Sequence, residues 1–437
     1  MSVSVSSNDD LVEQDLQHPP ASLAWLMWTL GGLLFLIGFF HRIAFGVMGD
    51  PLRMEFALTA TTLGTLASFY YYSYMPMQVP VGIMADRFGP RKLLTCGAAI
   101  TALGTVLFVM ATNYWMLGLG RLLIGGAVAV AFVTMMKIAQ HWFDLKKFSL
   151  LTGLGLLAGN LGAVGAGVPL QFLIGEIGWR PVLLGLAALT GVLAVATWIW
   201  VRDDPEDLGY KSYDLKGARH EPHGSVLSTM KDAICHRNVL LLTLACGAAA
   251  GSALTFGGLW GVPFLRTAYG FSSPEAATIT TIMLLVWAGS GVLLGFWSDQ
   301  SGKRKVPFIV GALVAALGWA VVTQIADLPH WLLYLALVVA AAGSSIMIVG
   351  LSLARESVPR RLQGTALGWC NMGVMIGPMI LQPLTGFLID VNWDGKLDNG
   401  TRVYDLTTFQ VGFIPMIVWL LLAAVLICFA REKKFGS

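Results

Sequence analysis

Charge is what this chain has least of. Lys, Arg, Asp and Glu make up 12% of its residues, about half of what a soluble domain carries, so a water-soluble fold is excluded. The two signs nearly balance at a net +3, which leaves no electrostatic footprint for a nucleic-acid partner. Cysteine is scarce too: Cys96, Cys246, Cys370 and Cys428 lie in apolar stretches and Cys235 near the end of a polar segment. With no C-x-x-C spacing and no histidine cluster, neither a disulfide framework nor a metal site is indicated. The cysteines read as small buried hydrophobes. No P-loop, catalytic triad or metalloprotease helix is present, so an enzyme or an ATP-driven pump is disfavoured and no cofactor is expected. Lys and Arg are also missing from the first 22 positions. Those positions therefore lack the basic region of a cleaved signal peptide, and the first apolar run is expected to be retained.

Apolar residues, at 56% of the chain, are abundant. They fall into twelve runs of the roughly 20 residues that span a bilayer: 23–50, 58–84, 92–112, 114–139, 148–175, 180–201, 238–267, 274–298, 306–326, 331–354, 362–389 and 409–430. The sixth and seventh are separated by a polar stretch from Arg202 to Arg237. The expected organisation is a cytoplasmic tail (1–22), a first six-helix bundle (23–201), a cytoplasmic linker (202–237) with a short surface helix near Ser225–Ala233, a second bundle (238–430) and a cytoplasmic tail (431–437). Orientation follows from the basic residues. One side of the membrane holds Arg53, Arg180, Arg266, Lys396 and Arg402, five in all, against 21 on the side of the termini and linker. Positive residues stay inside, so both termini are placed in the cytoplasm, at the inner membrane.

One short charged stretch occurs twice. Gly82-Ile-Met-Ala-Asp86-Arg87-Phe-Gly89-Pro-Arg91-Lys92 returns 213 positions later as Gly295-Phe-Trp-Ser-Asp299-Gln-Ser-Gly302-Lys-Arg304-Lys305, and Thr152, Leu154 and Gly155 match Thr365, Leu367 and Gly368 at the same offset. A repeat of half the chain means two homologous halves. Each copy joins two apolar runs. The stretch resembles the helix 2–3 loop of the major facilitator superfamily, G-x-x-x-D-R-x-G-x-R-[RK]. The first copy matches fully, and the second lacks only the arginine after Asp299. Arg121-Leu-Leu-Ile-Gly125-Gly126 and Gly178-Trp179-Arg180 resemble the superfamily's helix 4 and helix 6 signatures. The resemblance implies an all-α integral membrane fold of twelve helices in two six-helix bundles. It also implies alternating access around a midplane site, and gating by Asp86, Arg87, Arg91, Asp299 and Arg304. By charge and position, Asp86 and Arg91 can pair with each other and with a neighbouring helix end. The Gly-Pro signature of some exporters is absent from helix 5.

Arg42 and Arg121 stand inside apolar runs, where a charge costs at least ~2.5–3.5 kcal/mol. The carboxylates are elsewhere: Asp50, Glu55, Glu176 and Glu275 at one set of helix ends, Asp86, Asp144, Asp299 and Glu356 at the other. Two buried cations without a buried anion point to an anionic substrate, which guanidinium groups grip in two places. Snorkelling to the surface, or pairing with Asp50 or Glu55, is the plainer alternative. The pattern also resembles the anion:cation symporter branch of the superfamily, which carries organic anions such as sugar acids and sialic acid. That branch has an Asp-Arg pair in helix 1 and an arginine in helix 4 followed by a glutamate. Here His41 and Val128 replace the two acids, so coupling to protons would have to use another group. His41 is the candidate, because only imidazole titrates near neutrality unaided.

Tyr70 and Tyr74 share one helical face, and Tyr71 and Gln78 another. Tyr74, Asn160, Trp260 and Asn371 are assigned to shaping the remainder of the site, with Trp287 and Trp369 as further aromatic wall. Each has a plainer reading as packing. The glycine pairs Gly155/Gly159, Gly364/Gly368 and Gly373/Gly377 have the spacing for close helix contact and are expected between the halves. Asp390-x-Asn392-x-Asp394-Gly395 begins like a calcium loop, but Thr401 stands where the closing glutamate belongs. The expected function is a monomeric secondary transporter of a small organic anion. Two readings stand beside it: carriage of an amphipathic or cationic compound, which would need an acidic cavity residue, and a membrane sensor that binds a solute without moving it.

Overall fold

The computed structural model describes residues 17–213, 226–359, 362–398 and 400–432. The N-terminal tail to residue 16, linker residues 214–225 with Lys216 and Arg219, then Arg360, Arg361 and the last five residues with Lys433 and Lys434 lie outside the described residues. The expectations placed on them lie outside too.

Local sequence sets the helix boundaries. Helix α1 is Ala21–Val47. Ala60–Val109 is one helical run broken at Gly89, whose φ of 77° is one that glycine adopts without steric cost. The break leaves α2 (60–88) and α3 (90–109). Then come α4 Tyr114–Trp142, α5 Leu145–Ile177, α6 Trp179–Trp200, α7 Arg237–Tyr269, α8 Ser273–Ser301, α9 Lys305–Gln324, α10 His330–Glu356, α11 Gln363–Val391 and α12 Leu406–Cys428. Eleven stretches are long and apolar enough to cross a bilayer; α2, diluted by its four tyrosines, makes the twelfth. Side chains cap the starts. Asn113 accepts from the Met116 N–H at 3.0 Å and Asp405 from Thr408 at 3.0 Å, and Ser272 with Glu275 forms a capping box. A linker helix, Val226–Ile234, lies where the surface helix was expected.

The glycine pairs pack differently from expectation. Gly155 meets Met135 of α4, Gly159 meets Phe35 and Phe39 of α1, and Gly162 meets the Leu36 backbone, all within the first half. Gly373 and Gly377 lie on the backbone of α7 at Thr243 and Gly247, within the second half, while Gly364 and Gly368 face open space. Gly159 and Gly162 of α5 thus pack on α1, and Gly373 and Gly377 of α11 on α7, each within its own bundle. Other glycines join the halves. A Cβ on Gly46 of α1 would stand 2.7 Å from the Gly258 oxygen of α7, and one on Gly64 of α2 would stand 2.9 Å from Pro383 of α11. Gly386 of α11 lies on Ala60, and Gly167 of α5 on Thr281 of α8.

These junctions all lie on the side away from the linker, the far side. A polar lock reinforces them. Asp390, at the end of α11, accepts from the Thr61 N–H at 2.7 Å and from the Ala60 N–H at 3.2 Å. A carboxylate from one half therefore caps the positive end of α2 in the other. Tyr404 donates to Asp390 at 2.5 Å, and Arg402 binds it at 3.1 Å. Burial, and then the Asp390 carboxylate, push the Tyr404 phenol up to about 12, so it remains a donor. Arg53 donates to the Arg402 oxygen at 2.5 Å, and Asp50 pairs with Arg266 across the halves. The calcium-like stretch therefore spends its first aspartate on this lock, and no metal-binding cluster occurs among the described residues.

The linker side is arranged the other way. Around Gly82 of α2, Gly153 of α5, Gly289 of α8 and Gly368 of α11, nothing lies within 4 Å of where a Cβ would be. The halves meet at the far side and part toward the linker. If Asp390 holds that closure, Asp390→Ala should expose Leu63, which is buried between the halves on the far side. A Leu63→Cys reporter should then react with a membrane-impermeant maleimide on the order of tenfold faster, the worth of a helix cap. An unchanged rate would show that the lock carries no weight.

Candidate functional site

The groups nearest the middle of the bundle come from α1, α2 and α4. Arg42 lies five residues before the end of α1, about 8 Å below it at 1.5 Å per residue. Its side chain turns deeper into the protein. The guanidinium carbon stands 4.5 Å from the Phe39 ring centroid, 5.1 Å from Tyr74 and 5.6 Å from Tyr70. Tyr70 and Tyr74, one turn apart on α2, stack at 5.7 Å. They form the shared face that the four-residue spacing predicts. Such ring faces stabilise a cation by about 0.5–2 kcal/mol, too little to replace a counter-charge. The residue is 6% exposed, and its Nε has no hydrogen-bond partner. The polar groups beside it are neutral phenols, and Tyr70 donates its proton to the Gly38 oxygen at 3.1 Å. Among the described residues no Asp or Glu is fully buried.

Arg121 is also buried, at 3% exposure, but it is engaged. Nη1 donates to the His41 oxygen at 2.8 Å and Nη2 to the Ala67 oxygen at 3.0 Å. It therefore ties α1 to α2 from α4, with its face on Phe45 at 4.6 Å and Tyr70 at 5.2 Å. The two arginines read as equals in the sequence are held differently: Arg121 ties the wall through two carbonyl oxygens and Arg42 sits among phenol rings, while neither has a carboxylate partner among the described residues. Residues adjacent on a helix point about 100° apart, which separates His41 from Arg42. The His41 ring pairs with Thr105 of α3 at 3.2 Å and borders a small void with Met48, Phe108 and Leu183. It faces the interior of the first half. Val128, where the related branch has an acid, packs on Gly38 with no room for a larger group.

The second half contributes neutral groups. Gln382 of α11 donates to the Leu254 oxygen at 3.2 Å, while its Oε1 is buried and unpartnered. The Tyr71 hydroxyl of α2 lies within reach of the Gln382 side chain without a well-formed hydrogen bond, and the Gln78 amide nitrogen is unpartnered. Orphaned polar atoms in a dry interior are costly, and those of Tyr71 and Gln382 lie on the side of the buried Arg42. Gln382 and Tyr71 are the residues underrated from sequence; Tyr71–Gln78 spacing was the available signal. Trp260 is fully buried, donates to the Gln382 oxygen at 3.0 Å and leans on Gly386, so it closes the far side above this cluster. Asn160 of α5 and Asn371 of α11 are half-buried and make no hydrogen bond among the described residues. Trp287 has an unpartnered indole nitrogen. Trp369 is no part of the wall: it donates to the Met230 oxygen of the linker helix at 3.1 Å.

The charged turns pair within their own halves. Asp86 binds Lys137 of α4 at 2.8 Å, and Arg91 donates to the Trp198 oxygen of α6 at 2.7 Å and through its backbone to Asp203. The expected Asp86–Arg91 pair is absent because each finds a closer helix end. Arg87 is exposed, over the Phe88 ring at 5.5 Å. Arg304 binds Asp299 at 2.5 Å and Glu356 at 2.9 Å. None of these pairs crosses between halves, as the parting of the helices there requires.

The contrast between the arginines is measurable as stability. Arg121→Gln should lower the apparent unfolding free energy by about 3 kcal/mol, the worth of two bonds from a charged donor. Arg42→Gln should leave it unchanged or raise it, because it removes an unpaired buried charge. Equal destabilisation in a thermal melt would show that Arg42 is paired after all.

Comparison with known proteins agrees with this architecture. The pattern of the Major Facilitator Superfamily matches residues 30–262 and 240–436. The "Uncharacterized transporter YybO" of Bacillus subtilis is 25% identical over 93% of this chain and 95% of its own. The "Probable sulfoacetate transporter SauU" of Cupriavidus necator is 24% identical over 82% of this chain and 85% of its own. Among solved structures, a bacterial homologue of the human lysosomal transporter Spinster, in an inward-facing and unoccupied conformation, superposes with a TM-score of 0.75. It is 17% identical and covers 94% of this chain and 97% of its own. With matches across both halves and the twelve-helix fold beneath them, the chain belongs to the Major Facilitator Superfamily.

Proposed function

We propose that this transporter moves a small organic anion across the inner membrane by alternating access, with the acid group of the substrate on Arg42. The observation that carries the reading is a guanidinium, 6% exposed, with no anionic partner among the described residues. An intramembrane charge at a cost of at least ~2.5–3.5 kcal/mol persists when function requires it. Arg121 holds α1 and α2 in place around it. Tyr74, Tyr71 and Gln382 meet the body of the substrate, with Asn160 and Asn371 on the linker side and Trp260 closing the far side. A relative named for sulfoacetate supports an anion. The basic linker side is the cytoplasmic one by the positive-inside rule, so the arrangement with the far side shut is inward-facing. On this reading the Asp86–Lys137 and Arg304–Asp299–Glu356 clusters meet the opposite half when the protein swings outward.

A thermal-stability panel of carboxylates, sulfonates, phosphates, sugars and cationic drugs tests the proposal. A true ligand at a hundred times its Kd adds about 2.7 kcal/mol. Carboxylates or sulfonates should stabilise the wild type and lose that effect in Arg42→Ala. Stabilisation by cations or neutral amphiphiles alone would overturn the assignment.

A further inference from the structure

We propose that the carrier is an anion exchanger: it returns across the membrane loaded with a second anion, and no proton travels with the substrate. The inference rests on the reading of Arg42 as the anion site and deepens it by assigning the coupling.

The argument is a count of charge at the site. The titratable groups facing Arg42 are Tyr70, Tyr71 and Tyr74 from α2; Arg121 of α4 shares the Tyr70 ring with it, and His41, its neighbour on α1, turns to Thr105. Across from them α11 and α7 present Gln382 and Trp260, which do not titrate. Phenols hold their protons throughout the physiological range, and guanidinium groups do not give theirs up. His41 is directed to Thr105 and the interior of the first half, 3% exposed and screened from the second half. Carboxylates are absent from the fully buried set among the described residues. No group at the site can therefore take a proton on one side and release it on the other.

Charge then decides which states cross easily. With a monoanion bound, Arg42 and its ligand pass through the closed intermediate as a neutral pair. Empty, the same intermediate encloses two guanidinium groups, Arg42 and Arg121, where the loaded one encloses a single net positive charge. The insertion cost of such a charge corresponds to at least a factor of about a hundred in population. A proton cannot substitute for the anion, since it adds charge of the same sign. Rapid return therefore requires an anion from the opposite side. Exchange is electrically silent, whereas net movement drags one positive charge back.

The test uses the full chain in liposomes at zero membrane potential. Dyes on Gly82→Cys and Gly368→Cys, in a background lacking the native cysteines, report the opening of the linker side, because both positions face open space. Single-molecule energy transfer then gives the switching rate of the empty protein. Empty wild type should switch at least 50-fold more slowly than Arg42→Gln, equally at pH 6 and pH 8, and Arg42→Lys should stay slow because it keeps the charge. Wild type and Arg42→Gln within threefold of each other, or a wild type that accelerates at pH 6, would overturn the proposal. A parallel arm follows labelled sulfoacetate and labelled benzoate. Efflux that accelerates at least tenfold with unlabelled anion outside supports exchange, and uptake driven by a pH gradient refutes it while leaving the anion reading intact. If the thermal panel finds no anion dependent on Arg42, the underlying reading fails, whatever the switching rates.

Discussion

Two buried guanidinium groups, neither with a carboxylate partner among the described residues, govern this molecule. In a medium that solvates ions poorly, Arg42 has to be surrounded, and what surrounds it is made of rings and backbone rather than acids. Phe39, Tyr70 and Tyr74 offer their faces. Arg121 could have been a second free cation, but both its terminal nitrogens are bound to carbonyl oxygens. The consequence is a site with two positive charges and no buried carboxylate among the described residues, framed by phenols and an amide. Every other charge in the described protein lies near a helix end or in a loop, mostly paired with a neighbour.

Helix α2 links that centre to the gate. Its middle carries Tyr70, Tyr71 and Tyr74 around the guanidinium, and its first residues, Ala60 and Thr61, donate to Asp390 of the opposite half. Its last turn carries Asp86, bound to Lys137. On the proposed reading, an anion drawing Tyr74 and Tyr71 toward Arg42 would act on the same rod whose far end is capped by the second half. Rods packed through glycine transmit such a displacement because their interfaces have little slack. This gives alternating access a local cause: the cap on α2 is made or broken as the rod tilts.

Much of this was legible in the sequence, and what escaped has physical reasons. Twelve apolar runs and a repeat at 213 positions carry the fold, since length and hydropathy decide what crosses a bilayer. The buried arginines were visible because charge is conspicuous in an apolar run. Their division of labour was not, because it depends on where each side chain points. Adjacent His41 and Arg42 face different neighbours for the same reason, and no spacing rule reveals that Thr105 of α3 is there to receive the histidine. The glycine motifs misled because G-x-x-x-G specifies close packing without naming the partner. Gly159 of α5 went to α1, and Gly373 and Gly377 of α11 to α7, while isolated glycines such as Gly46 and Gly386 joined the halves. Asp390 looked like the start of a metal loop because sequence cannot show that the first turn of α2 lies beside it.

The two halves descend from one repeat, yet their interiors have diverged in charge. His41, Arg42 and Arg121 all belong to the first half, while the second presents Gln382, Trp260 and Asn371 at the centre. Two cationic halves facing each other would repel when the site closes empty, and a carboxylate in the second half would neutralise Arg42 permanently. A neutral second half avoids both. On the proposed reading it would leave Arg42 unmatched until an anion arrives and then cover the pair with amide and indole groups that demand no further charge. The requirement for an anion would then reside in the first half, and the body of the substrate would meet Tyr71 and Tyr74 of the first half and Gln382 of the second. The asymmetry lets one half bind and the other half close over what is bound.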